Sequence, residues 1–331
     1  MIRKRMRLCA AAVAAVVSVA LIAGCSSSDE SDDGSTRSSA GSGQFPVTVT
    51  TKTGDVTIES KPERVLTLGN PAFEDVIALG EQPIAANVDK IEQLPYLAEY
   101  VNDKSLNPKL ADVYANEVNV EVIAAQNPDL IVAPAWPQFT DPVILDKLKK
   151  IAPTLIFDMQ DATGDWRTGV QQVAQALGQQ DKGQELIDAA VAEYTKVGEA
   201  HPELATKPYS FGLFMNGTIS LASGGNVLGL FGLQPARDQA AVEEKGERIS
   251  YSEETVSLVE GQIVMLMPFP QAASQTMEDS PFWEGSLQNR VIWLTDAQGE
   301  AINNAGILGK TWLPGDLDAE LGKIAGPATT G

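Results

Sequence analysis

From Arg64 onward short apolar runs alternate with helical patterns, and this rhythm restricts the possible folds more than any other feature of the chain. The runs Arg64 to Leu68, Ile84 to Asn87, Leu130 to Ala133 and Leu155 to Phe157 are short and rich in aliphatic residues, as strands buried on both faces must be. Between them lie helical patterns through Ala72 to Leu79, near Val120 to Ala125 and near Val143 to Lys150. Strand, helix, strand in repetition predicts crossover units and a mainly parallel sheet. The stretch from Trp166 to Ala200 breaks the rhythm, being helical throughout with only Gly178 and Gly183 as interruptions. The alternation then restarts with Tyr209 to Phe214, helices near Val227 to Phe231 and Glu253 to Val259, and strands at Ile263 to Met267 and Val291 to Leu294. Ahead of it all, Phe45 to Glu59 alternates around Lys52-Thr53-Gly54-Asp55, which predicts a hairpin. The expectation is an α/β protein of two lobes, 45–163 and 205–331, joined through linking helices at 164–204, because the length exceeds one typical core.

The first seven residues carry four positive charges, and an unbroken small and apolar run follows from Leu8 to Ala23. That is the anatomy of a secretory signal, too short for the roughly 20 residues a membrane-crossing helix needs. The run closes on Leu21-Ile22-Ala23-Gly24-Cys25, which resembles the lipobox of bacterial lipoproteins. The resemblance implies that 1–24 is removed and that the Cys25 thiol carries diacylglycerol. Two acyl chains suffice for stable anchoring, which places the protein on the extracytoplasmic face of the cell membrane. Residues 25–44 are dominated by Ser, Gly and Asp and read as a disordered tether.

Without 1–24 the chain has 20 basic against 44 acidic residues, a poor match for nucleic acid. Cys9 lies in the signal, so the folded part has no disulfide and is held by burial. The single histidine, His201, precedes Pro202 at the end of the long helix and suits a cap or solvent role. Direct capture of zinc or manganese needs several imidazoles and carboxylates at one point. Nucleophilic hydrolysis needs a base beside Ser or Cys. Neither requirement is met, so no catalysis and no resident metal or cofactor are expected. Ser223-Gly-Gly-Asn226 is either an anion cradle on backbone amides or a tight turn; it lacks the lysine and spacing of a nucleotide loop.

Three segments together resemble the iron-siderophore and cobalamin class of periplasmic-type substrate-binding proteins, the receptors of ABC importers. They are Lys61-Pro-Glu-Arg-Val-Leu-Thr-Leu68 with Ala78-Leu-Gly80; Glu117-Val-Asn-Val-Glu121 with Asn127-Pro-Asp-Leu-Ile131; and Ile249-Ser-Tyr-Ser-Glu-Glu254 leading to Gln262-Ile-Val264. Val118 stands where the family pattern has proline, and Glu260-Gly261-Gln262 where it has Pro-Asp. The resemblance implies two Rossmann-like lobes with mainly parallel sheets joined by a single long interdomain helix, and a ligand cleft between them. It further implies a monomer that hands a ferric siderophore to an ABC permease dimer, with iron present only as the chelate. Glu121 and Glu254 match the positions where the family presents one glutamate per lobe to the permease. Haem or cobalamin is the alternative ligand, with Tyr96 or Tyr114 available to haem iron, and a surface sensor or cell-wall binding protein the alternative role.

Ligand residues in such a fold lie at the carboxyl ends of strands. That rule selects Asn70 and Phe73 after the first strand, Tyr114 before Glu117, and Trp136 after Leu130 to Ala133. In the second lobe it selects Phe214 and Asn216, Arg248 before the Ile249 segment, and Phe269 after Met267. Aromatic walls suit a flat, greasy chelate, and a guanidinium can pair with catecholate, hydroxamate or carboxylate oxygens. Ordinary core packing is the competing role for the aromatics, and Arg64 reads as structural.

Overall fold

The hairpin forms where its alternation places it: β1 (Val47–Thr51) pairs antiparallel with β2 (Gly54–Ile58), and Val47, Val49, Val56 and Ile58 point inward. The computed structural model describes residues 43–159, 165–270, 273–281 and 287–325. Cys25, the signal and most of the tether lie outside them.

The first lobe is built from β3 (Val65–Leu68), α1 (Asn70–Ala78), β4 (Ala85–Asn87), the ribbon β5 (Ala111–Asp112) and β6 (Glu117–Val118), and α2 (Val120–Ala125). β7 (Leu130–Pro134), α3 (Pro137–Thr140), α4 (Pro142–Lys149) and β8 (Thr154–Phe157) complete it. Its sheet runs β4-β3-β7-β8, all parallel, and every residue of these strands is buried. Helices on both faces explain the continuous apolar runs. Val65, Leu130, Val132, Leu155 and Phe157 face the hairpin side, whereas Leu66, Leu68, Ile131, Ala133 and Ile156 face the opposite core. Arg64 donates to the carbonyls of Gln126 and Asn127 and so ties the start of β3 to the loop before β7, the structural role expected of it.

Two helices follow, α5 (Trp166–Ala176) and the 21-residue α6 (Gln180–Ala200). Gly178, with φ +68°, makes the break between them. Gly183 interrupts nothing: it lies inside α6, where an added Cβ would sit 2.5 Å from the Cβ of Ala174. The residue is a close approach between helices. α6 spans the lobes. Near its start Lys182 donates to the Leu79 carbonyl of the first lobe, and near its end Tyr194 packs edge-on against Phe231 at 4.8 Å. His201 is its C-cap, with Nε2 2.8 Å from Asp318.

The second lobe holds β9 (Pro208–Met215), β10 (Thr218–Leu221), α7 (Gly225–Leu228), β11 (Gln234–Pro235), α8 (Arg237–Lys245), β12 (Ser250–Ser252), β13 (Ile263–Phe269), α9 (Ala273–Glu278) and β14 (Val291–Trp293). α10 (Asp296–Asn303) and α11 (Ile307–Ala325) end it. The sheet order is β12-β10-β9-β13-β14, with β11 also on β9. β9, β11, β13 and β14 are parallel, but β10 reverses on β9 and β12 on β10, so this sheet is mixed. Glu253–Leu258, expected as an α-helix, is a 3-10 helix.

α11 returns to the first lobe. Asp75 Oδ1 accepts from Ile307 N at 2.8 Å, and Glu74 Oε2 accepts from Gly309 N at 2.9 Å, so two buried carboxyl groups of α1 cap its first turn. Among the described residues no helix is long and apolar enough to cross a membrane.

Candidate functional site

The carboxyl ends of the parallel strands of both sheets open on one cleft. A cavity of about 270 Å³ is lined from the first lobe by Asn70, Asp89, Lys90, Gln93, Leu94 and Tyr114, and from the second by Met267, Phe269, Asp296 and Glu300. Asn70 follows β3, Asp89 and Lys90 follow β4, Phe269 ends β13, and Asp296 opens the helix after β14. This is the strand-end crevice where α/β sheets bind ligands. A neighbouring cavity of about 500 Å³ shares Phe269 as a wall and adds Phe214, Asn216, Gly217, Glu253, Pro270 and Ala273.

Two aromatics are exposed on opposite sides, Tyr114 at 68 % and Phe269 at 55 %. Tyr114 is held by the turn below it, because Asp112 Oδ1 accepts from the amides of Tyr114 at 3.0 Å and Ala115 at 2.9 Å. Lys90, at φ +49°, reaches back so that its Nζ lies 4.6 Å from the centre of the Tyr114 ring. Asn70 lines the cavity but its amide is committed. It accepts from Asp89 N at 2.8 Å and donates to Asp89 O at 3.1 Å, which makes it a positioning residue for the Asp89-Lys90 loop.

The charges here perturb one another. Burial, reinforced by the Asp112 carboxylate and partly offset by Lys90, pushes Asp89 above the ordinary carboxylate range. Burial also pushes Glu300 up, against a hydrogen bond from Asn304 and the nearby lysines. A hydrogen bond to Tyr114 holds the Lys90 ammonium above its usual value despite burial, with Asp296 and Glu300 assisting.

The structure brings together Asn70, Tyr114, Phe269, Phe214 and Asn216 along this cleft and separates the remaining expected residues. Phe73 is fully buried, edge-on to Tyr100 at 5.6 Å in a core beneath the cleft, because α1 starts at Asn70 and position 73 falls one turn inside. Phe214 lines the second cavity yet is 1 % exposed and packs on Trp293. Asn216 has φ +51° and Gly217 φ +73°, the two central residues of the β9–β10 hairpin, so turn chemistry alone accounts for this Asn-Gly pair. Trp136 is half-buried, stacked on Phe139 at 6.1 Å with an 18° interplanar angle, and covers Gly69, whose added Cβ would meet its ring at 2.9 Å. It lines neither cavity.

Arg248 is placed away from the cleft. β12 runs toward the cleft, pairing Ser252 with Thr218 beside the turn, so residues before it lie at the far end, roughly 13 Å away by strand rise. Arg248 lines a separate depression there with Ser223. The Ser223-Gly-Gly-Asn226 stretch leads into the four-residue α7, and it too is outside the cleft. Glu121 and Glu254 are exposed, one in each lobe.

Sequence reading overlooked Asp89, Lys90, Asp296 and Glu300. The strand-end rule applied to β4 would have found the first two. The capping box of Thr295 and Gln298 marks the start of α10 and hence Asp296. Among the described residues no group of three or more His, Cys, Asp or Glu side chains is arranged to hold a metal ion.

A two-lobed protein with a cleft at the strand ends and one long connecting helix is a solute-binding architecture. Residues 65–291 match the family described as Periplasmic binding protein, and the chain belongs to that family. It is 31 % identical over 176 residues to the probable siderophore-binding lipoprotein YfiY of Bacillus subtilis, covering 52 % of this chain and 49 % of that protein. The match spans about half the length of each curated relative. Among solved structures, a periplasmic solute binding protein from Mycobacterium smegmatis aligns over 85 % of this chain and 99 % of its own, with a TM-score of 0.69 and 22 % identity. Staphylococcus aureus SirA, solved with staphyloferrin B, aligns over 84 % and 99 % with a TM-score of 0.66 and 22 % identity.

Proposed function

We propose that this chain is a lipid-anchored solute-binding receptor that captures a ferric siderophore between its lobes and delivers it to an ABC permease. The observation that carries the reading is the cleft itself: both lobes contribute, and the exposed Tyr114 and Phe269 line it from opposite sides. Rigid aromatics bury a large flat ligand with little loss of side-chain entropy. The relatives support the same reading: YfiY is a probable siderophore-binding lipoprotein, and a second Bacillus subtilis relative, YfmC, 31 % identical over 191 residues, is an Fe(3+)-citrate-binding protein. The receptor works without catalysis, and iron enters as part of the chelate. It is a monomer held at the extracytoplasmic face through Cys25, and Glu121 and Glu254 dock the two lobes on the permease. Intrinsic fluorescence of the purified protein, titrated with ferric siderophores, haem and cobalamin, tests the reading. Saturable quenching by a ferric siderophore, weakened about tenfold or more by Tyr114→Ala, is expected. Saturation only by haem or cobalamin, or no loss with the variant, refutes it.

A further inference from the structure

Carboxylates outnumber cations on the cleft walls. Asp89, Asp296 and Glu300 line one cavity and Glu253 the other, against the single ammonium of Lys90, which is already engaged by Tyr114. Among the described residues no arginine lines either cavity. Arg64, Arg167, Arg237 and Arg290 are bound to carbonyls or carboxylates elsewhere, and Arg248 lines the remote depression. The stretches 160–164, 271–272 and 282–286 contain neither Lys nor Arg. Asp296 is exposed on this wall, so its charge is open to a ligand in the cavity.

This surface sorts iron chelates by charge. Iron(III) held by three dianionic catecholates is strongly negative, and ferric citrate is negative as well. Held by three monoanionic hydroxamates, iron(III) is neutral, and a pendant amine makes the complex a cation. The field of a chain with 44 acidic residues reinforces the preference at long range. Resting on the ferric-chelate reading, we propose that the cleft takes a tris-hydroxamate chelate bearing a free ammonium group, which Asp89, Asp296 and Glu300 receive.

The test compares four probes on the purified protein by fluorescence quenching: ferrioxamine B, its N-acetylated form, ferric citrate and a ferric tris-catecholate. Ferrioxamine B should bind about tenfold or more tightly than each of the other three, because a hydrogen bond between charged groups in a partly shielded cleft is worth about that much. The advantage over the acetylated form should shrink with added salt and disappear in the Asp296→Asn, Glu300→Gln double variant, while Arg248→Ala retains it. Equal affinity for the acetylated form, or an anionic chelate binding as tightly as ferrioxamine B, overturns the charge inference and leaves the receptor reading standing. Saturation by none of the four overturns both.

Discussion

Replacing Glu74 with glutamine should flatten the protein's dependence of stability on pH. Glu74 is fully buried on α1 and accepts from Gly309 N, while its neighbour Asp75 accepts from Ile307 N, so the pair fastens the first turn of α11 to the first lobe. Burial, against the hydrogen bonds from α11, pushes Glu74 from 4.5 up to about 8 and Asp75 from 3.8 up to about 7. Lys310 beside them is drawn down to about 7 by burial and donates to the carbonyls of Ala301 and Ile302. Between pH 5 and 6.5 both acids are protonated in the folded protein and ionised in the unfolded chain, whereas Lys310 is charged in both. Folding therefore takes up protons, and stability is full below the unfolded values and lost as pH rises through the folded ones. One such group contributes at most about 1.4 kcal/mol per pH unit, so Glu74 accounts for about 1–2 kcal/mol across the window. The substituted glutamine keeps an acceptor for Gly309 N but cannot titrate. Urea unfolding of wild type and variant at pH 5, 6, 7 and 8 gives the difference directly, free of the background from the other acids. Wild type should lose about 1–2 kcal/mol relative to the variant between pH 5 and 6.5 and go on losing toward pH 8. Parallel curves would mean that Glu74 is ionised in the fold and the reasoning is wrong.

Trp136→Ala should cost about 2–3 kcal/mol of stability, because it strips the ring from Phe139 and Gly69, and change chelate affinity less than about threefold; a large affinity loss at unchanged stability would return Trp136 to the binding site. Changing both Glu121 and Glu254 to Ala should preserve affinity and abolish uptake in cells where this is the only receptor, since both are exposed and neither lines a cavity; normal uptake removes the docking role.

The first-lobe sheet was legible because its strands are buried on both faces and so read as unbroken aliphatic runs. The antiparallel β10 and β12 were not: residues such as Thr218, Ser220, Ser250 and Ser252 sit on an exposed ribbon whose polar face resembles loop. α11 was hidden by Gly309, Pro314 and Gly315, residues that locally oppose a helix and are overruled by packing against α1 and α6. The site divided along similar lines. Tyr114 and Phe269 followed from the strand-end rule, but that rule says nothing of how far a side chain turns into the core, which is what decides Phe73. Arg248 required knowing the direction of β12, and direction in an antiparallel ribbon depends on which strands pair.

Crystals grown with a ferric hydroxamate and measured at the iron absorption edge would locate the ligand without assumption. One iron peak should lie in the cleft, between the Tyr114 and Phe269 rings, with the chelate touching both lobes. Iron at the Arg248 depression, or on one lobe alone, would contradict a receptor whose two halves close on a shared ligand.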